Sequence, residues 1–207
     1  MYSGIANVKK TCNMQDQSQD IRIWNQFRQG DDEAFACLFN KFSEVLYRYG
    51  SKLMTKSDGV KDCIADLFIQ LHHKRNALPL VDNVKSYLLK SLRNKMIDHI
   101  RKEKIKGHAV SLDELQFQTD YYFDPEENTD LDSEIMEKFE SVLQQLTDRQ
   151  KEILYLHYQM DLSYEDISLL LEINYQSVKN LMFRTIENIR NKMVLPLFLS
   201  FFLRYIL

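Results

Sequence analysis

The chain has 207 residues, 44% of them hydrophobic and 28% charged, with a net charge of -3: enough length for one large or two small domains, and ordinary globular composition that excludes disorder throughout. Glycine (5) and proline (3) are scarce, and apolar residues recur three and four apart rather than alternating, so an all-helical protein is expected and a strand-rich one is not. Cys12, Cys37 and Cys63 are odd in number, widely spaced and match no CxxC or Cys/His ligand pattern, so they are read as buried thiols of a reducing, cytoplasmic compartment, and no metal site is expected.

Residues 1–19 are polar and contain no apolar core of signal-peptide length, which reads as a flexible arm. Residues 20–106 are helical in pattern, punctuated by Gly30. After that break, Phe35, Leu38, Phe39, Phe42, Val45, Leu46 and Tyr49 keep the spacing of one apolar helix face. A following helix, "VKDCIADLFIQLHHKR", sets Ile64, Leu67, Phe68 and Leu71 on one side and Asp62 and Asp66, one turn apart, on another. The irregular "NALPLVDN" precedes "VKSYLLKSLRNKMIDHIRKEKIK", which turns Tyr87, Leu88, Leu92, Met96, Ile97 and Ile100 inward and carries eight Lys/Arg between positions 85 and 106 against two acids.

Residues 107–140 reverse that charge, with eleven Asp/Glu, one Lys and the Asp124-Pro125 break, and read as an acidic linker. The linker cancels basic charge elsewhere, so net charge says little about partners and local charge more. Residues 141–193 carry three helix-start signals: Thr147 with Gln150 as a capping box, Ser163 with Asp166 as another, and Asn174 as a cap. Eight helical residues, a three-residue turn and a longer helix make a helix-turn-helix, with an ordinary helical hairpin as the alternative reading of the motif alone. Val178, Met182, Ile186 and Ile189 face inward, leaving Gln176, Lys179, Asn180, Phe183, Arg184 and Glu187 outward. In a major groove Gln176, Lys179 and Asn180 reach base edges and Arg184 a phosphate; the plain alternative for these cations is a solvated face. Glu172 stands where many such turns have glycine. The tail, residues 194–207, has eleven apolar residues of fourteen, too few to span a bilayer. Packing on the body, binding a regulator and lying on a membrane surface all stay open for it.

The motifs "GDDEAFACLFNKFSEVLYRYG", "DCIADLFIQLHHKR", "VKSYLLKSLRNKMIDHIRKEK" and "LTDRQKEILYLHYQMDLSYEDISLLLEINYQSVKNLMFRTIENIRNKM", in this order and around an acidic linker, resemble bacterial sigma factors of the extracytoplasmic-function group of the sigma-70 family. The resemblance implies two small helical domains, the second a helix-turn-helix (winged-helix-like) DNA-binding domain. Residues 20–106 then answer to sigma region 2 and residues 141–193 to sigma region 4. It implies no catalytic residue, no metal and no cofactor; the partners are core RNA polymerase and promoter DNA, with an anti-sigma factor left open, and no integral membrane span.

By the same resemblance, Asp62, Asp66, Phe68, Gln70 and Leu71 contact polymerase, with Phe68 and Leu71 equally readable as core. The loop from Asn76 to Asn83 together with Arg93, Asn94, Lys95, Asp98 and Arg101 meets the minus-10 element, where capture of an unpaired base must offset the cost of extruding it. Gln176, Ser177, Lys179, Asn180, Phe183 and Arg184 meet the minus-35 element. The chain departs from the family pattern at Ala65, commonly Gln, at His72, commonly Trp, and at Leu181, often basic. Two other readings compete: a stand-alone helix-turn-helix regulator, and a protein that keeps the fold but sequesters a partner.

Overall fold

The computed structural model describes residues 17–54, 57–105, 117 and 133–193. The chain divides into two compact units, Met1–Leu115 and Gln116–Leu207. Among the described residues all regular structure is helical, so the expected all-α class holds, and the likeness to winged helices extends to the helices only. Residues 1–16, most of the expected linker and the tail 194–207 lie outside the described residues.

In the first unit α1 (Gln17–Arg28) leads through Gly30 into α2 (Asp32–Leu53). Gly30 has φ +104°, a conformation that side chains rarely adopt. Asp31 starts α2 as its N-cap, accepting from the Glu33 and Ala34 amides at 2.9 and 3.1 Å, and Asp32 and Glu33 in the first turn complement the helix dipole. α3 (Ser57–His73) is followed by a 3₁₀ turn (Arg75–Ala77) and then by α4 (Val84–Ile105).

Trp24, Phe27, Leu46, Tyr49, Leu53, Leu88, Leu89, Leu92 and Met96 are fully buried together, each side chain of this kind contributing about 2 kcal/mol. The helices approach closely at Gly50, where an added Cβ would stand 2.6 Å from Val60 Cγ1 of α3. Lys41 and Asp20 pair across α2 and α1. Of the cysteines expected as buried thiols, Cys63 is one; Cys37 is half-buried, and Cys12 lies outside the described residues.

In the second unit α5 (Ser133–Gln144) is followed by α6 (Asp148–Leu154), a π turn (Tyr155–Gln159), α7 (Tyr164–Leu171) and α8 (Tyr175–Lys192). Helix α5 begins inside the stretch expected as linker, because Phe139, Val142 and Leu143 bury an apolar stripe that the acidic composition masks. Phe117, from the same stretch, is 2% exposed with its ring 5.3 Å from Tyr155.

All three helix-start signals are realised. Thr147 and Gln150 close a capping box, as do Ser163 and Asp166, and Asn174 Oδ1 accepts from the Ser177 amide at 2.7 Å. Arg149 fastens α6 to the end of α7: one Nη donates to buried Glu152 and the other to the Leu171 carbonyl, each at 3.0 Å. Glu172 ends α7 in the left-handed region, φ 54° and ψ 41°, the position glycine would favour.

Candidate polymerase and nucleic-acid interfaces

The sequence-predicted residues fall on three faces. On α3, Asp62, Asp66 and Gln70 are exposed along one stripe, whereas Phe68 (3%) and Leu71 (5%) are buried, the second of the two readings left open for them. These two side chains hold α3 on α2 and leave the acids in solvent. Beside the stripe an open groove of about 540 Å³ runs between α2 and α3, lined by Phe35, Phe39, Ala65, Phe68, Ile69, His72 and His73.

Its apolar character comes from Phe39 and Ile69, 42% and 55% exposed, although Phe39 belongs to the stripe that spacing alone assigns to the core. Both departures on this helix, Ala65 and His72, line it. His72 also packs its ring 5.1 Å from Phe35 and lies 3.6 Å from Asp32, which Arg75 engages at 3.0 Å. Burial pushes the Cys63 thiol up from 9.0 to about 11; Asp66 and Asp62 add to the rise and Lys95 opposes it, so this cysteine is an inert, protonated part of the helix's inner face.

The second face is the α3–α4 loop with α4. Asn76, Ala77, Pro79, Leu80 and Asp82 are exposed, Leu80 by 74%, while Leu78 is buried. Asn83, expected in the DNA-facing set, also starts α4: its Oδ1 accepts from the Ser86 amide at 3.1 Å. On α4, Asn94, Asp98 and Arg101 project into solvent along one face, the last two 3.4 Å apart, and Arg93 and Lys95 are half-buried at its edges. The residues that shape the loop are not those its own sequence suggests. Trp24 Nε1 donates to the Pro79 carbonyl at 3.0 Å, Arg28 Nε to that of Leu78 at 2.8 Å, and Gln17 Nε2 to that of Asp82 at 2.9 Å. Sequence spacing carries no signal for these bonds, though Trp24 is the chain's one tryptophan.

The third face is the outer side of α8, where Gln176, Ser177, Lys179, Asn180, Phe183 and Arg184 are all exposed, Phe183 by 66%, over a base of buried Val178, Met182, Thr185 and Ile189. Gln176 Nε2 donates to Asn180 Oδ1 at 2.9 Å, and the Lys179 ammonium lies 5.6 Å from the Tyr175 ring centroid, so three side chains on the first turns are already ordered towards solvent. Leu181 is half-buried, which accounts for an apolar residue at a position that is often basic.

Comparison with known proteins identifies the family of both units. The Sigma-70 region 2 family model matches residues 38–105 and the Sigma-70 region 4 model residues 136–189, together more than half of the chain. The chain belongs to the sigma-70 family. Proteins of that family are transcription initiation factors and not enzymes, and the resemblance drawn from the sequence is thereby met.

Two solved structures share the sigma factor's fold. One is CnrH in complex with the cytosolic domain of CnrY, with a TM-score of 0.54 and 16% identity over 85% of this chain and 96% of that one. The other is the sigma factor RpoE in complex with the anti-sigma factor NepR from Bartonella quintana, with a TM-score of 0.52 and 19% identity over 76% of this chain and 95% of that one. No curated protein sequence matches the chain. Among the described residues no helix is long and apolar enough to cross a membrane.

Proposed function

We propose that this sigma factor is an alternative one of the extracytoplasmic-function kind, acting in the cytoplasm, that binds core RNA polymerase and directs promoter recognition, DNA melting and initiation. The observation that carries the proposal is the division of labour over three solvent-facing surfaces: an acidic stripe beside an apolar groove on α3, an exposed loop leading into basic α4, and a capped, exposed recognition face on α8.

The stripe and groove suit a protein partner. Asp62 and Asp66 supply charge that steers and registers a basic surface, and Phe39 and Ile69 supply the apolar area that holds it. The loop and α4 suit the opened minus-10 element, since stacking of an unpaired base on a side chain returns about 1 to 3 kcal/mol against the cost of extruding it. Gln176, Lys179 and Asn180 suit base edges of the minus-35 element and Arg184 a phosphate. Each DNA contact is weak alone and falls with salt; held together on polymerase they act intramolecularly. An anti-sigma partner belongs to the same proposal, supported by the fold shared with RpoE, which was solved with one.

The test is co-purification of the tagged full-length chain with core polymerase from its native cells at moderate salt, with Asp66→Lys alongside. The wild type is expected to bring polymerase down. Asp66→Lys should weaken that association by about a hundredfold, since a like charge set against a basic partner surface costs several kcal/mol, with an unchanged unfolding midpoint because Asp66 is exposed. Tight duplex binding without polymerase would instead make the chain a stand-alone helix-turn-helix regulator, and polymerase binding without promoter-dependent transcription a sequestering protein.

A further inference from the structure

The bonds of the 3₁₀ turn end where the Leu78 amide donates to the Arg75 carbonyl at 3.3 Å, and Pro79 brings no N–H of its own to the loop. From there α1 takes over. Trp24 and Arg28, one helical turn apart and therefore on one face of α1, grip the consecutive carbonyls of Pro79 and Leu78, and Gln17 a third at Asp82. Trp24 is 0% exposed, and its ring meets Phe27 and Tyr87 edge-on at 5.9 and 5.2 Å, so its N–H is held in one direction. Arg28 is half-buried and steadied by Asn25 Oδ1 at 3.3 Å.

Drawing these carbonyls and the Leu78 side chain inward turns the other side of the loop, with Asn76, Ala77 and Leu80, to solvent. Helix α1 also lies before residue 38, where the region 2 match begins, so family membership assigns it nothing.

We propose that α1 is the brace of the minus-10 specificity loop, with Trp24 and Arg28 as positioning residues that hold Asn76 and Leu80 where an unpaired base is met. The inference rests on the assignment of the loop under Proposed function. Its physical content is that a group offered to a base discriminates only while its position is held; an ångström of displacement costs up to about a hundredfold.

The test reconstitutes core polymerase with the full-length chain and measures binding to forked promoter DNA whose unpaired minus-10 base is each of the four in turn. The wild type ranks the bases. Trp24→Phe, which keeps a ring and loses the N–H, and Arg28→Met should each lower the ratio of best to worst base about tenfold. Arg28→Lys, which can still donate to the Leu78 carbonyl, should retain most of the ratio. Ile23→Ala loosens the same helix from the same core without touching a donor, and should leave the ratio as it was.

Equal flattening by Ile23→Ala, or full discrimination in Trp24→Phe and Arg28→Met, overturns the brace. A second readout needs no polymerase: in the free chain, hydrogen exchange at the amides of Ala77 and Leu78, which donate to the Lys74 and Arg75 carbonyls, should quicken about tenfold in Arg28→Met and not in Ile23→Ala, and unaltered exchange overturns the brace by itself. A wild type that binds polymerase yet ranks no base sinks the loop's assignment and the brace with it. That outcome is distinct from failure of the brace alone, in which wild type and variants rank the bases alike.

Discussion

In the second unit the starts of α6, α7 and α8 are specified by residues three positions apart, Thr147 with Gln150, Ser163 with Asp166 and Asn174 with Ser177, whereas in the first the loop ahead of α4 is held by donors 50, 55 and 65 residues away. Helix α8 is thus placed largely by its own neighbourhood, and the α3–α4 loop by a distant helix. Local caps form as soon as the chain turns; a brace between distant segments exists only once the core has assembled. The two candidate DNA-facing surfaces therefore differ in what can damage them: single capping residues for one, the distant side-chain donors of α1 for the other.

Four substitutions test that contrast. The largest effect is expected at Arg149, the long-range tie in the otherwise locally specified unit. Arg149→Met removes the ion pair to the Glu152 carboxylate, 5% exposed, and the bond to the Leu171 carbonyl, and should cost about 3 kcal/mol. Because the chain's one tryptophan, Trp24, lies in the first unit, its fluorescence should unfold at the wild-type denaturant concentration while helical circular dichroism is lost earlier. A shift of both signals, or of neither, would break the contrast at its strongest point.

Gly50→Ala should cost about 2 kcal/mol in the tryptophan transition, since overpacking against fully buried, β-branched Val60 exceeds the gain of up to about 1 kcal/mol in helix propensity. Asn174→Ala removes one acceptor from the start of α8 and should cost about 1 kcal/mol in the dichroism signal alone. Smallest and opposite in sign, Glu172→Gly relieves a left-handed residue and should stabilise the second unit by about 0.5–1 kcal/mol. Destabilisation by Glu172→Gly would mean that the Glu172 side chain contributes more than its backbone conformation costs.

The same division governs what could be read in advance. Helix-period spacing found the inward faces of α4 and α8, and the three caps of the second unit were legible because each is a short-range hydrogen bond between residue types chosen for it. Phe39 was misplaced in the core because spacing tells which side of a helix a residue is on and not where the neighbouring helix stops covering it. Asn83 was placed in the DNA-facing set by resemblance, as the end of the loop; its side chain also caps α4, a use that Asn just before a helix commonly has. Helix α5 was hidden by its acids, although Phe139, Val142 and Leu143 keep the apolar period. The brace was out of reach because a backbone carbonyl has no residue type: nothing in "NALPLVDN" says that the carbonyls of Leu78 and Pro79 will be the atoms that are gripped.

The open groove between α2 and α3 also sets how the chain behaves among copies of itself. Phe39 and Ile69 form an apolar patch of the kind that draws molecules together, and it cannot be covered permanently if a partner is to use it. Asp62 and Asp66 stand exposed on the same helix, so two chains meeting groove to groove bring four carboxylates into one contact, and like charges so placed repel. If these acids meet a basic partner as proposed, the same two side chains also act as gatekeepers against self-association, and the colloidal stability of the unengaged chain depends on them.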